Sequence, residues 1–95
     1  MALFTVSRVI DGDTFEVKNG WEWNNKKGKM VRPTGYNTPE KGEEGYAEAT
    51  LKLTNLILEE KVDIRTAYKI DRGRLVADVY YGDNNLADYF LEYKT

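Results

Sequence analysis

The sequence predicts an α+β fold that is mainly β, and three observations carry that reading. Short runs rich in β-branched and aromatic residues fill most of the chain, and a single stretch of helical period interrupts them. The chain has 95 residues, enough for one hydrophobic core and too few for two, so residues 1–95 are read as one domain.

The first strand is expected over residues 3–10, where Phe4, Thr5, Val6, Val9 and Ile10 favour extended backbone. Asp11-Gly12-Asp13 turns the chain, and a second short strand follows over residues 14–17. Asn19-Gly20 signals a turn or bulge, after which Trp21-Glu22-Trp23 resumes the alternation. Residues 24–28 read as a polar hairpin tip, and residues 29–32 return as the third strand, which Pro33 keeps from running much further. Residues 33–45 have the composition of a loop.

From Tyr46 onward the apolar spacing becomes helical. Ala47, Leu51, Thr54 and Leu58 share one stripe, and Ala49, Leu53, Leu56 and Ile57 widen it. A fourth strand is predicted over residues 61–67 and a fifth over residues 75–81. Gly82-Asp83-Asn84 ends the fifth strand, and Asn85 is placed to cap a last helix through Leu86, Tyr89, Phe90 and Tyr93. Three meander strands, a helix, two strands and a C-terminal helix suit a five-stranded OB-type barrel.

Composition narrows the chemistry. With no cysteine there is neither a disulfide frame nor a thiolate metal site, and with no histidine the commonest general base is missing. Hydrolytic chemistry must then run on carboxylates, arginine, lysine, tyrosine or hydroxyls. The formal net charge of −2 gives no domain-wide field for gripping nucleic acid, although a local patch or a bound cation can still hold a phosphate. No apolar leader or long apolar span is present, so the expectation is a cytoplasmic or otherwise soluble monomer without a signal peptide and away from membranes.

Three segments carry candidate site residues. Asp11 and Asp13 flank Gly12 and can offer hard oxygens to Ca²⁺ or Mg²⁺, or they can simply form a β-turn. Arg32 presents a planar fork suited to phosphate, and Glu40 can take a proton from water; the plainer reading is two exposed charges around a loop. Asp71-Arg72-Gly73-Arg74 is a basic turn entering a strand, which hairpin solvation alone can explain.

Together, Asp-Gly-Asp-Thr-Phe at 11–15, Val-Arg followed by Asn-Thr-Pro-Glu at 31–40, and Gly-Arg-Leu-Val-Ala at 73–77 resemble the staphylococcal nuclease (thermonuclease) family. Gly45, Tyr46 and Ala49 in the helical stretch and Asn85-Leu86-Ala87 near the end keep the same order, so the resemblance covers nearly the whole chain. It implies an OB barrel that hydrolyses DNA and RNA phosphodiesters with Ca²⁺. It further implies that Asp13 is a metal carboxylate supported by Asp11, and that Thr38 ligates through its carbonyl. Glu40 becomes the general base, and Arg32 and Arg74 the phosphate clamp. The family's second metal carboxylate falls on Asn37, whose amide can ligate but brings no charge, which implies weaker metal binding.

The hairpin holding Trp21, Trp23, Lys26 and Lys27 is longer than the family pattern. Its aromatic and basic mix is expected either to stack single-stranded or loosened nucleic acid or to cover the barrel. The alternatives to an enzyme are a catalytically weak or inactive OB-fold module that binds nucleic acid or a protein, and a small structural domain.

Overall fold

A computed structural model describes residues 2–95. The strands are β1 (Ala2–Asp11), β2 (Thr14–Trp23), β3 (Lys26–Pro33), β4 (Lys61–Asp71), β5 (Arg74–Tyr81) and the two-residue β6 (Asn84–Asn85). A single α-helix, α1 (Tyr46–Ile57), lies between β3 and β4. Antiparallel pairs β1–β2, β2–β3, β1–β4 and β4–β5 form a sheet that closes through a parallel β3–β5 pairing. The result is a five-stranded barrel, as expected for an OB-type fold, with β6 as a small appendage on β5.

Alternation explains which side chains fill it. Along β5, Leu75, Ala77 and Val79 are buried while Arg74, Val76 and Asp78 point outward, the period-two signature of a strand with one face on a core. Val6, Phe15, Val17, Val31 and Val62 complete the interior. The strands run further than the local composition suggested, because ladder hydrogen bonds with neighbours extend residues that lack strong β-propensity of their own.

Two hairpins turn on paired left-handed residues. Asn24 and Asn25, at φ 53° and 64°, form the β2–β3 turn, so the polar tip narrows to these two and Lys26 already belongs to β3. Arg72 and Gly73, at φ 55° and 79°, do the same between β4 and β5. Asn19 and Gly20 also have positive φ where the β2–β3 register shifts, which is the bulge their sequence signalled.

Helix α1 buries Ala49, Leu53 and Ile57, while Leu51 and Leu58 are exposed. The helical stripe expected through residues 47, 51, 54 and 58 therefore faces away from the core. Positions 47 and 49 stand about 200° apart on a helix, so two apolar stripes were on offer. Packing against the barrel selected the second. The C-terminal segment also departs from a continuous helix. It makes two single 3-10 turns, Leu86–Tyr89 and Leu91–Tyr93, with the Asn85 side chain accepting the Ala87 amide hydrogen bond at the start of the first. Burial of Leu86 and Phe90 at 0 % exposure holds this segment down, and Tyr36 stacks on Phe90 at 4.6 Å with a 9° interplanar angle.

Candidate functional site: a carboxylate and arginine cleft

The turn between β1 and β2, the loop after β3 and the start of β5 meet at one end of the barrel. They line a polar cleft of about 540 Å³ that contains Asp11, Asp13, Arg32, Asn37, Thr38, Glu40 and Arg74. Every residue expected at the metal, at the phosphate and as the base therefore opens onto a single space, although the segments are far apart in sequence.

The barrel registers explain the meeting of the two arginines. Parallel pairing sets Arg32 opposite Val76 and Met30 opposite Arg74, so both guanidinium groups leave the same outer face two residues apart along the ladder. Arg32 is the more constrained. Its Nη1 donates to the carbonyls of Pro33 at 2.6 Å and Tyr36 at 3.2 Å, and its Nη2 donates to Asn37 Oδ1 and lies 3.5 Å from Asp13 Oδ2. Arg74 donates to Thr14 Oγ1 at 3.2 Å and to the Asp71 carboxylate at 3.3 Å. Both forks are thus oriented by partners on other segments before any anion arrives, which lowers the ordering cost of binding one.

The carboxylates are similarly fixed. The backbone N–H of Asp13 donates to Asp11 Oδ1 at 3.1 Å, and the N–H of Thr38 donates to Asp13 Oδ2 at 3.3 Å. Partial burial holds the Asp11 carboxyl above the usual carboxylate range, and the neighbouring Asp13 side chain pushes the same way. Glu40 is exposed at the rim. A local turn sets its backbone, with its N–H donating to Glu43 Oε1 at 2.7 Å and the Glu43 N–H donating back to its carbonyl at 2.8 Å.

The donors available to a cation are the Asp13 and Asp11 carboxylates, the Asn37 amide oxygen and the Thr38 carbonyl. All are hard oxygens of the kind calcium takes, so the set fits such an ion in chemistry. It is low in charge, because no group of three or more His, Cys, Asp or Glu residues arranged to hold a metal occurs among the described residues. Arg32 bridges Asp13 and Asn37, so guanidinium and cation are competitors for those oxygens.

The aromatic hairpin is a different matter. Trp21 is only 6 % exposed, lies over Gly28 and donates its indole N–H to the Met30 carbonyl at 2.8 Å. A Cβ on Gly28 would stand 2.6 Å from the Trp21 ring, so the indole has the glycine as its floor. Trp21 thus packs into the barrel wall, one of the two places expected for the hairpin aromatics. Trp23 is half-buried and Lys26 and Lys27 are exposed, but none of them lines the carboxylate cleft.

Residues with no role assigned from the sequence also shape the site. Lys41 and Arg72 add two cations to the cleft lining. Tyr36 is buried and donates its hydroxyl to the Gly12 carbonyl at 2.9 Å, tying the loop after β3 to the β1–β2 turn. A lone aromatic between Gly35 and Asn37, inside an otherwise polar loop, was the signal for such an anchor. The C-terminal residues secure the same loop, since the Asn37 N–H donates to the Tyr93 carbonyl and the Thr95 N–H to the Gly35 carbonyl, each at 3.0 Å. Among known proteins, no family model and no curated sequence matches this chain.

Proposed function

We propose that this domain is a calcium-dependent nuclease that hydrolyses phosphodiester bonds of DNA or RNA. The observation that carries the reading is the convergence of Asp13, Arg32, Glu40 and Arg74 on one polar cleft. The resemblance of their motifs to the staphylococcal nuclease family supports the same reading.

In this proposal a phosphodiester lies between the forks of Arg32 and Arg74. Their charge stabilises the negative charge that grows on the phosphoryl oxygens as phosphorus becomes five-coordinate, and the protein-held orientation of both groups makes that stabilisation larger than free guanidinium could supply. Glu40 accepts the proton of the attacking water, a role open to a carboxylate in a chain without histidine. Asp13, Asn37 and the Thr38 carbonyl would hold Ca²⁺, with Asp11 behind Asp13. When bound, the ion supplies Lewis-acid polarisation of a phosphoryl oxygen.

A second reading is a phosphate-binding OB module without turnover. One observation favours it: Arg32 already spans Asp13 and Asn37, which leaves a cation fewer free charges to gain. Incubation of denatured DNA and of RNA with the protein in millimolar Ca²⁺, with EGTA and Glu40→Ala controls, separates the two. Cleavage that disappears in both controls supports the nuclease. Cleavage no greater than the Glu40→Ala background removes it and leaves the binding module.

A further inference from the structure

Outside the carboxylate cleft, the β3–β5–β4 face carries cations and aromatic rings in a continuous line. Arg32 is the register partner of Val76 on the parallel side, and Lys69 is the partner of Val76 on the antiparallel side. The three side chains therefore form one row across three strands, about 10 Å from end to end at ordinary strand spacing. A second cleft of about 300 Å³ lies along that row, lined by Arg32 and Asn37 at one side and Lys69 at the other. Lys69 in turn lines a third cleft of about 300 Å³ together with Trp23, Lys26 and Tyr68. Arg32 joins the first cleft to the second, and Lys69 joins the second to the third.

The far end has the composition of a stacking platform. Tyr68 is 55 % exposed, although its hydroxyl is fixed by donation to Asp78 Oδ2 at 2.7 Å. Trp23 pairs across its hairpin with Lys26, which sets an indole beside an ammonium on one face. The acidic groups along the line are engaged. Asp71 pairs with Arg74, and Asp78 accepts from the hydroxyls of Tyr68 and Thr34. A charged backbone with π-faced side groups is the ligand this pattern complements, because cations meet phosphates while rings stack on bases of any sequence.

We propose that this face is a binding track for single-stranded nucleic acid, on which a strand held at Arg32 and Arg74 continues over Lys69 and stacks its bases on Trp23 and Tyr68 beside Lys26. The inference rests on the proposed phosphodiester site for its starting point. It adds the path that the strand follows beyond that site. Of the two hairpin tryptophans it uses Trp23, with Tyr68 as a partner from β4.

The test is fluorescence anisotropy with labelled oligothymidylates of about 4 and about 12 nucleotides, in EDTA so that nothing is cut. The longer probe is expected to bind about tenfold more tightly, and Trp23→Ala or Tyr68→Ala to remove most of that gain while leaving the short probe unchanged. Tyr68→Phe keeps the ring and should keep the affinity. Lys69→Gln should reduce the salt slope for the longer probe by about 0.7. Binding should also quench Trp23 emission. Equal affinity of wild type, Trp23→Ala and Tyr68→Ala for the longer probe overturns the track, and the exposed position of Tyr68 makes that variant safe for folding. Calcium-dependent cleavage with unaltered Trp23→Ala and Tyr68→Ala binding would remove the track and keep the nuclease. Ring-dependent binding without cleavage would do the reverse.

Discussion

The phenol of Tyr36 donates a hydrogen bond to the carbonyl of Gly12, 2.9 Å away, and this buried contact joins the loop carrying Asn37, Thr38 and Glu40 to the turn carrying Asp11 and Asp13. Burial raises the Tyr36 hydroxyl well above its ordinary pKa, with the Asp13 carboxylate adding to the shift, so it remains a donor at any working pH. Tyr36→Phe leaves the Gly12 carbonyl without that donor while preserving the stack on Phe90. A loss of about 1–2 kcal/mol in urea unfolding is expected, because a buried acceptor left unpaired costs its desolvation. Unchanged stability would mean that the two segments are held by packing alone.

Gly12 is also where the segments come closest. A Cβ there would stand 2.7 Å from Thr38 Oγ1 and 2.8 Å from the Ala49 Cβ, so Gly12→Ala must push the loop or α1 outward. Overpacking of this kind costs about 1–3 kcal/mol. The predicted result is a lower melting temperature together with weaker phosphate binding, since the displaced loop carries Asn37, which orients the Arg32 guanidinium. A variant that melts like wild type would show that the loop yields freely.

At Asn37 the amide oxygen accepts from Arg32 and supplies no charge. Asn37→Asp adds a negative ligand to the proposed calcium site, and titration calorimetry should read about tenfold tighter Ca²⁺ binding. No gain in affinity would take position 37 out of the cation's reach.

Asp11 gives a pH dependence with a definite sign. Its carboxyl is held above the usual range by partial burial and then by Asp13, so in EDTA the folded chain binds more protons than the unfolded chain from about pH 4 up to the folded value. Stability from this group is therefore present at low pH and falls as pH rises through the folded value. Asp11→Asn should raise stability at pH 7 by about 0.5 kcal/mol, small because solvent screens a half-exposed side chain, and should give no gain at pH 3. A gain of the same size at both pH values would trace the effect to packing instead of charge.

Arg74 is oriented by Thr14 and Asp71 through separate nitrogens, a geometry that an ammonium cannot reproduce. If the domain cleaves nucleic acid as proposed, Arg74→Lys should lower kcat about hundredfold, the scale of removing one oriented donor from a transition state. A variant within twofold of wild type would exclude Arg74 from the reacting phosphate.

The amino-acid order by itself determined the barrel, because period-two runs, Asn-Gly and Arg-Gly turn chemistry and one helical stretch are local signals that agree with each other. It also marked Asp13, Arg32, Glu40 and Arg74 as candidates, since the ordered motifs that carry them resemble those of the staphylococcal nuclease family. Local pattern could not decide which of two apolar stripes of α1 faces inward. Nor could it show that Trp21 lies on Gly28 while Trp23 stays half open, because those outcomes depend on strand register and on the volume left by residues distant in sequence. The C-terminal segment took 3-10 turns for the same reason: burying Phe90 against Tyr36 mattered more than helical period. Only closure of β3 on β5 brought the two arginines to one face, and only the Tyr36–Gly12 bond and the C-terminal residues held the loop against them. Residue chemistry is written locally, whereas the cleft exists only where non-local pairing brings its parts together.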